Sequence, residues 1–136
     1  MNLLIDTNVL LDVLKKREPF CGSSLMILKL CEAGHCKGYI SALSVADIVY
    51  ILRKNLDPVK TARLTETISR ILSVLDLTGS DLLNASGCYW NDFEDALQYA
   101  AARRAGADYI ITRNIADYKA SGIPPLTPDE YLDRYN

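Results

Sequence analysis

The sequence predicts an α/β protein in which a parallel sheet is covered by helices on both faces. Short apolar runs typical of buried strands alternate with longer segments in which apolar residues recur at helical spacing. Parallel strands need crossover connections, which are usually helical, so this alternation favours a parallel sheet. With 136 residues, 49% hydrophobic and 24% charged, we expect a single domain spanning residues 1–136.

The individual elements follow from apolar runs and from residues that begin or end helices. Strands are predicted at residues 2–6, 38–41, 74–77, 109–112 and 125–126. Helices are predicted over 9–14, up to Gly34, from Ser44, from Asp57-Pro58, from Ser80 toward Cys88, from Asp92 to Gly106, and after Thr127. The run at 109–112 is almost continuously apolar, which is typical of a strand buried on both faces.

The charge distribution limits the classes of partner. The net charge is −2; residues 1–70 contain 10 basic and 7 acidic side chains, whereas residues 71–136 contain 5 basic and 10 acidic ones. A strongly acidic half argues against an extensive phosphate-binding surface and favours a site for metal cations. No apolar run reaches the roughly 18 residues of a membrane helix, and a strand follows Met1 directly. We therefore expect a cytoplasmic protein without membrane association.

Four cysteines are expected to be reduced thiols. The segment that contains Cys31, His35 and Cys36 raises the question of a zinc site. A structural zinc site usually needs four ligands with closer paired spacing, and Gly34 favours a helix end at this point. We expect His35 to be an exposed side chain without a catalytic role.

Four aspartates are predicted at one edge of the sheet. Asp6 ends the first strand, Asp117 lies in the loop after the fourth, and Asp47 and Asp95 fall in the predicted first turns of two helices. Ligands of such sheets bind beyond the carboxyl ends of the strands. Carboxylates gathered there repel one another unless a cation lies between them, and Mg²⁺ or Mn²⁺ prefers oxygen ligands.

Helix capping is the structural alternative for two of these acids. The segments Ser44–Asp47 and Asp92–Asp95 both fit a capping box, in which the acid bonds back to the start of the helix. An acid that ends an apolar central strand, as Asp6 does, is more often functional. The combination of all four acids, rather than any single one, predicts the metal site.

Three motifs resemble, in order, those of PIN-domain proteins. Residues Ile5–Asp12 resemble the opening motif, Asp92–Gln98 the helix motif, and residues 111–118 the closing motif. The resemblance spans essentially the whole chain, whose size is similar to that of VapC-like toxins. It implies a three-layer α/β/α fold with a central parallel sheet of four to five strands, and a metal-dependent ribonuclease with Mg²⁺ or Mn²⁺ as cofactor.

The resemblance also implies roles for individual residues. Asp6 and Asp95 match the main metal-binding acids, and Asp117 matches the acid of the closing motif. Asp47 stands where the family usually has glutamate, so its shorter side chain is expected to reach a metal through water. Supporting polar positions are Asn8, Thr112 and Asn114.

RNA binding requires basic side chains around an acidic pocket. The candidates are Lys15, Lys16, Arg17, Arg53, Lys54, Arg113 and Lys119. Arg113 is best placed, because it lies between two expected site residues. The pairs Lys15-Lys16 and Arg53-Lys54 are equally explained as cations near helix C-termini.

Two other functions remain open at this point. Asp6 at a strand end is also compatible with a phosphatase-like phosphoryl-transfer enzyme, although no second carboxylate follows two residues later. A catalytically silent binding module with a structural ion is the other alternative. If the toxin resemblance holds, it implies an antitoxin protein as partner and a homodimer.

Overall fold

A five-stranded parallel sheet forms the centre of the protein, whose computed structural model describes residues 1–135. The strands are β1 (Asn2–Ile5), β2 (Lys37–Ser41), β3 (Ser73–Leu75), β4 (Tyr109–Ile111) and β5 (Pro125–Leu126). Their order across the sheet is β3-β2-β1-β4-β5, and each neighbouring pair is parallel. The predicted parallel sheet is therefore confirmed.

Helices connect the strands and cover both faces. They are α1 (Thr7–Leu14), α2 (Cys21–Glu32), α3 (Ala42–Ile51), α4 (Pro58–Ile71), α5 (Gly79–Ser86), α6 (Phe93–Ala105) and α7 (Pro128–Tyr135). Two 3₁₀ turns lie at Arg53–Asn55 and Ile115–Tyr118. Within residues 1–135, no helix has the length and apolar character needed to cross a membrane.

The three layers follow from the alternation of side chains along the strands. Leu3 and Ile5 of β1 pack on one face with buried residues of α1, α2, α4 and α7. Leu4 and Ile110 face the other side, against α6, with α5 packed beside that helix. Because all of these residues are buried, β1 and β4 lie inside the protein and their ends alone reach the surface.

The centre of the sheet places the ends of β1 and β4 side by side. Ile5 is in register with Ile111, and the Asp6 amide donates a 3.0 Å hydrogen bond to the Ile111 carbonyl. Asp6 and Thr112 therefore follow the two strands at neighbouring positions. The chain runs from β1 to β2 and β3 on one side and then crosses to β4 on the other side of β1, and such a reversal creates a crevice for ligands.

The start of α3 differs from the prediction. Ser41, not Ser44, is the N-cap residue, and its hydroxyl accepts a 3.1 Å hydrogen bond from the Ser44 amide. The two serines lie three residues apart, and Ser41 has the extended backbone of a cap because it ends β2. Asp47 is therefore in the second turn of α3, so the predicted capping role of Asp47 is wrong.

Helix α5 also begins earlier than predicted. Its N-cap is Thr78 rather than Ser80, and Thr78 forms a reciprocal capping box with Asp81. Helix α6 agrees with the prediction at both ends. Asp92 accepts a 3.1 Å hydrogen bond from the Asp95 amide, and Gly106 ends the helix in the left-handed conformation.

Candidate metal centre

Asp6 is fixed at the end of β1 by hydrogen bonds to both carboxylate oxygens. Oδ1 accepts from the Thr7 amide at 2.8 Å, and Oδ2 accepts from the Thr112 hydroxyl at 2.8 Å and from Nδ2 of Asn8 at 3.3 Å. The side chain is buried. Burial raises the pKa of Asp6, whereas the hydrogen bonds from Thr112 and the Thr7 amide act against this rise. Asp6 is thus a preoriented oxygen donor.

The predicted supporting residues form one hydrogen-bonded group around Asp6. Asn8 also donates to the Thr112 hydroxyl oxygen at 3.4 Å, and its own Oδ1 accepts from the Arg113 amide at 3.2 Å. The Asn114 amide donates to the same Thr112 oxygen at 3.0 Å. Asn8 and Thr112 therefore contact Asp6 with their side chains, while Asn114 contributes its backbone.

Asp95 and Asp117 complete a group of three acids with Asp6. Burial, together with the negative charges of Asp92, Asp6 and Asp117, raises the pKa of Asp95 to about 7. Asp117, on the exposed side of the second 3₁₀ turn, also raises the pKa of Asp6. Three of the four predicted acids, from segments distant in sequence, therefore lie within electrostatic reach of one another.

Tyr118 links two of these acids and was not predicted as a site residue. Its side chain is fully buried, and its hydroxyl donates to Oδ1 of Asp95 at 3.3 Å. Burial raises the pKa of Tyr118, and hydrogen bonding to Asp95 and Asp6 raises it further, so the phenol remains a donor. The only sequence signal was an aromatic residue directly after the acid of the closing motif.

Asp47 contacts Glu94, an acid that the sequence analysis did not single out. Its carboxylate forms a hydrogen bond with the carboxyl group of Glu94, and this contact is the main reason that the pKa of Glu94 rises to about 7. The charges of Asp92 and Asp95 add to the rise. Glu94 was not predicted, although it precedes Asp95 directly. It extends the acidic cluster from Asp95 toward Asp47.

Arg113 forms an ion pair with the buried carboxylate of Asp12. Its Nε and Nη2 donate to Asp12 at 2.5 and 3.1 Å, and its guanidinium lies 4.2 Å from the centre of the Phe20 ring. Asp12 is completely buried, with Arg17 at 3.6 Å as its second cation. RNA contact by Arg113 stays a prediction, and the geometry gives this residue a structural role as well.

The donor set fits a hard divalent cation in its chemistry. Carboxylate oxygens, the ligands that such cations prefer, gather beyond the central strand. Burial raises the pKa of Asp95 and the contact with Asp47 raises that of Glu94, and the charges of neighbouring acids add to both effects. Within residues 1–135, no group of three or more Asp, Glu, Cys or His side chains has the spacing of a set of metal ligands. The acidic side chains therefore lie near one another, but they are not as close together as the ligands of a bound metal ion.

The cysteine-rich segment precedes β2 and so lies at the amino ends of the strands, away from the acids. Sγ of Cys31 is 3.5 Å from Sγ of Cys36, and both thiols are buried. His35 is exposed, as predicted, with its ring 6.3 Å from that of Tyr135. The left-handed backbone of Gly34 ends α2 here, in agreement with the sequence analysis.

A parallel α/β sheet with acids past its central strand places this chain among the PIN domains. The sequence profile of the PIN domain family matches residues 2–116, and the chain belongs to that family. The resemblance drawn from the three motifs is thereby confirmed.

Relatives with known names agree with this assignment. Ribonuclease VapC1 of Aquifex aeolicus is 23% identical over 139 residues, which cover 98% of this chain and 95% of that protein. A toxin-antitoxin complex from Klebsiella pneumoniae has a chain with a TM-score of 0.71 and 21% identity, covering 93% of this chain and 97% of that one. Mycobacterium tuberculosis VapC20, a toxin that cleaves the sarcin-ricin loop, has a TM-score of 0.71 and 15% identity over 93% and 99% of the two chains. At these identities the solved structures establish a common fold.

Proposed function

We propose that this PIN-domain protein is an endoribonuclease that hydrolyses RNA phosphodiester bonds with Mg²⁺ or Mn²⁺ and is the toxin of a toxin-antitoxin pair. The observation behind the proposal is the group formed by Asp6, Asp95 and Asp117, whose charges act on one another. The similarity of this chain to Ribonuclease VapC1 over almost the full length of both proteins supports the reaction class.

The acids provide the ligands for the ion. Asp6, Asp95 and Asp117 would hold it, with Asp47 and Glu94 as further carboxylates at the margin. A divalent ion, when bound, would lower the pKa of the attacking water. Its positive charge would also stabilise the negative charge that develops on the phosphate.

The other residues of the site orient these ligands. Thr112 and the Thr7 amide fix one oxygen each of Asp6, so the carboxylate cannot rotate without breaking a hydrogen bond. Tyr118 orients Asp95 through a hydrogen bond to Oδ1. Preoriented ligands reduce the reorganisation needed during the reaction.

An apolar groove on the face opposite α6 suits an antitoxin segment. It lies between α1, α2 and α4, has a volume of about 290 Å³, and is lined by residues that include Leu14, Leu25 and Leu64. Leu14 and Leu25 are 39% and 38% exposed, which is unusual for leucines on facing helices. Several solved relatives are toxin-antitoxin complexes. We propose that an amphipathic antitoxin helix covers this groove.

The same proposal includes the assembly and location of the protein. Homodimerisation, a cytoplasmic location and a single domain over residues 1–136 are parts of it. The four cysteines are free thiols, which is consistent with a reducing compartment.

The test is the cleavage of a mixed RNA pool with Mg²⁺ and with a chelator. Asp6→Asn keeps the cap of α1 but removes the charge, and we expect a loss of about 100-fold or more in rate. Asp57 is a matched control, because it also caps a helix with its carboxylate, at 2.8 Å from the Lys60 amide, but lies outside the site. Asp57→Asn should cleave RNA like the wild type.

Three results would contradict the proposal. Cleavage that is unchanged by the chelator would refute the requirement for a metal ion. Full activity in Asp6→Asn would refute the assignment of the active site. A folded wild-type protein that binds RNA without cutting it would be a silent binding module.

A further inference from the structure

A pocket of about 330 Å³ opens beside the acidic cluster. Asp95 and Asp117 form one side of it, and Tyr89, Trp90 and Lys119 form much of the remainder. The pocket is therefore continuous with the acids of the proposed active site. It combines aromatic rings with a cation, neither of which the reaction chemistry of the acids requires.

Tyr89 presents its ring to solvent at the margin of this pocket. The residue is 90% exposed, more than any other large hydrophobic or aromatic side chain among residues 1–135. Its backbone has φ of 56°, in the left-handed region that bulky residues rarely adopt. An exposed aromatic ring on an unfavourable backbone gains nothing from packing, so folding alone does not account for it.

Trp90 forms a fixed wall of the same pocket. Its indole is stacked on the Tyr99 ring, with centroids 5.1 Å apart and planes 11° apart. It also forms a T-shaped pair with Tyr118, with centroids 6.1 Å apart and an interplanar angle of 81°. Because Tyr118 contacts Asp95, the wall and the acidic cluster belong to one packed unit.

We infer that this pocket is a subsite for an unpaired nucleobase of single-stranded RNA, which stacks on Tyr89 next to the phosphodiester at the acids. The inference rests on the proposed function and adds to it a binding site for one base. Single-stranded RNA is commonly recognised by aromatic rings on which unstacked bases lie. A base in a duplex is already stacked and paired, so it cannot enter the pocket.

The charges of the pocket indicate that stacking, rather than phosphate attraction, provides the affinity. Asp92, Asp95 and Asp117 line it together with Lys119. These acids repel a phosphate backbone, and a single lysine contributes little release of counterions. We expect the logarithm of the association constant to fall with the logarithm of salt concentration with a slope of about −1 or shallower.

The test uses the fluorescence of Trp90, the single tryptophan of the sequence. A short single-stranded oligoribonucleotide is titrated into the protein with a chelator present, so that nothing is cleaved. Tyr89→Asn removes the ring and retains a residue that tolerates a positive φ. We expect it to weaken binding about 5-fold or more, since stacking on one aromatic ring contributes about 1–3 kcal/mol per base. Tyr89→Phe should bind like the wild type.

Two controls separate stacking from general effects of substitution. Tyr50 is 65% exposed on α3 and does not line the pocket, so Tyr50→Asn should bind like the wild type. A duplex of the same sequence should not compete. In cleavage assays with Mg²⁺, Tyr89→Asn should raise KM and leave kcat unchanged, because stacking is equal in the ground and transition states.

The inference and the proposed function fail in different ways. Equal affinity of Tyr89→Asn and wild type, or equal competition by the duplex, would overturn the subsite even if RNA is cleaved. Tyr89-dependent binding in a protein that cleaves no RNA would support the subsite and overturn the nuclease.

Discussion

The Tyr118 hydroxyl donates a hydrogen bond of 3.3 Å to Oδ1 of Asp95 and thereby joins the turn after β4 to the first turn of α6. This bond favours the ionised form of Asp95 and so lowers its pKa against the effects of burial and neighbouring acids. Tyr118, which is not itself a predicted metal ligand, therefore orients Asp95 and favours its charged form.

Removal of this hydroxyl should weaken metal-dependent activity without loss of the fold. We expect Tyr118→Phe to need about 10-fold more Mg²⁺ for half-maximal RNA cleavage, because a hydrogen bond to a charged group contributes about 1.5–3 kcal/mol. Tyr131→Phe is the matched control, since Tyr131 is also buried but packs on the opposite face of the sheet. Equal Mg²⁺ dependence of the two variants and the wild type would show that Tyr118 acts only by packing.

Neutralising Asp95 should stabilise the metal-free protein. The pKa of this carboxyl is about 7 in the folded state and 3.8 as its usual value. Between these values the folded state binds more protons than the unfolded state, so the free energy of unfolding falls as pH rises from about 4 to about 7. In Asp95→Asn this contribution is absent, and we expect a higher Tm at pH 7 with a shallower decline over that range.

Thermal unfolding with a chelator at a series of pH values measures this difference. Asp57→Asn, which also removes a charge and keeps a helix cap, should follow the wild-type curve. A large drop in Tm of Asp95→Asn at pH 7 would instead assign Asp95 a mainly structural role.

The ion pair between Asp12 and Arg113 should contribute more to stability than the pair between Asp12 and Arg17. Arg113→Met leaves a fully buried carboxylate without its two closest donors, and removing one partner of a buried pair typically costs about 3–5 kcal/mol. Arg17 is 37% exposed and 3.6 Å from the same carboxylate, so Arg17→Met should cost about 1 kcal/mol or less. Urea unfolding of both variants measures the two values, and equal losses would contradict the assignment.

Asp47 should affect RNA cleavage less than Asp6. Asp47 acts on Glu94 and is not among the groups that shift the pKa of Asp6, so Asp47→Asn should cause a smaller loss of activity than Asp6→Asn. Asp47→Glu restores the side chain that the family usually has at this position and should retain activity. Both variants are compared with the wild type in the Mg²⁺-dependent assay after circular dichroism has established that they are folded. An inactive Asp47→Glu would indicate that the pocket accepts only the shorter acid.

The fold was predictable because local patterns and long-range packing agree in this chain. The apolar run of β4 and the caps of α4 and α6 were identified correctly from single stretches of sequence. The start of α3 was not, because Ser41 and Ser44 have equal capping ability and only the end of β2 selects between them. The predicted grouping of Asp6, Asp47, Asp95 and Asp117 followed from where strands end and helices begin, and the charges of Asp6, Asp95 and Asp117 act on one another in the structure.

The contacts of the site required the structure. Tyr118, Glu94 and Asp12 acquire their roles from partners 23, 47 and 101 residues away, and no local pattern encodes such pairings. The burial of a charged side chain is equally hard to predict from local sequence. Asp12 lies on a helix among apolar residues, and its sequence position alone does not reveal that Arg113 accompanies it into the interior.

Of the five strands of this sheet, β1 comes first in the chain and lies in the middle of the sheet, and this order has a consequence for the growing polypeptide. When the ribosome has completed β3, the Asp6 side chain still lacks Thr112, which is 106 residues further along the chain. Asp117 and Tyr118 are translated later still. A nascent or prematurely terminated chain that stops before β4 has neither the neighbour that completes the sheet beside β1 nor the last members of the acidic group. The acidic group is therefore complete only after residues 112–118 have been translated and have reached the end of β1.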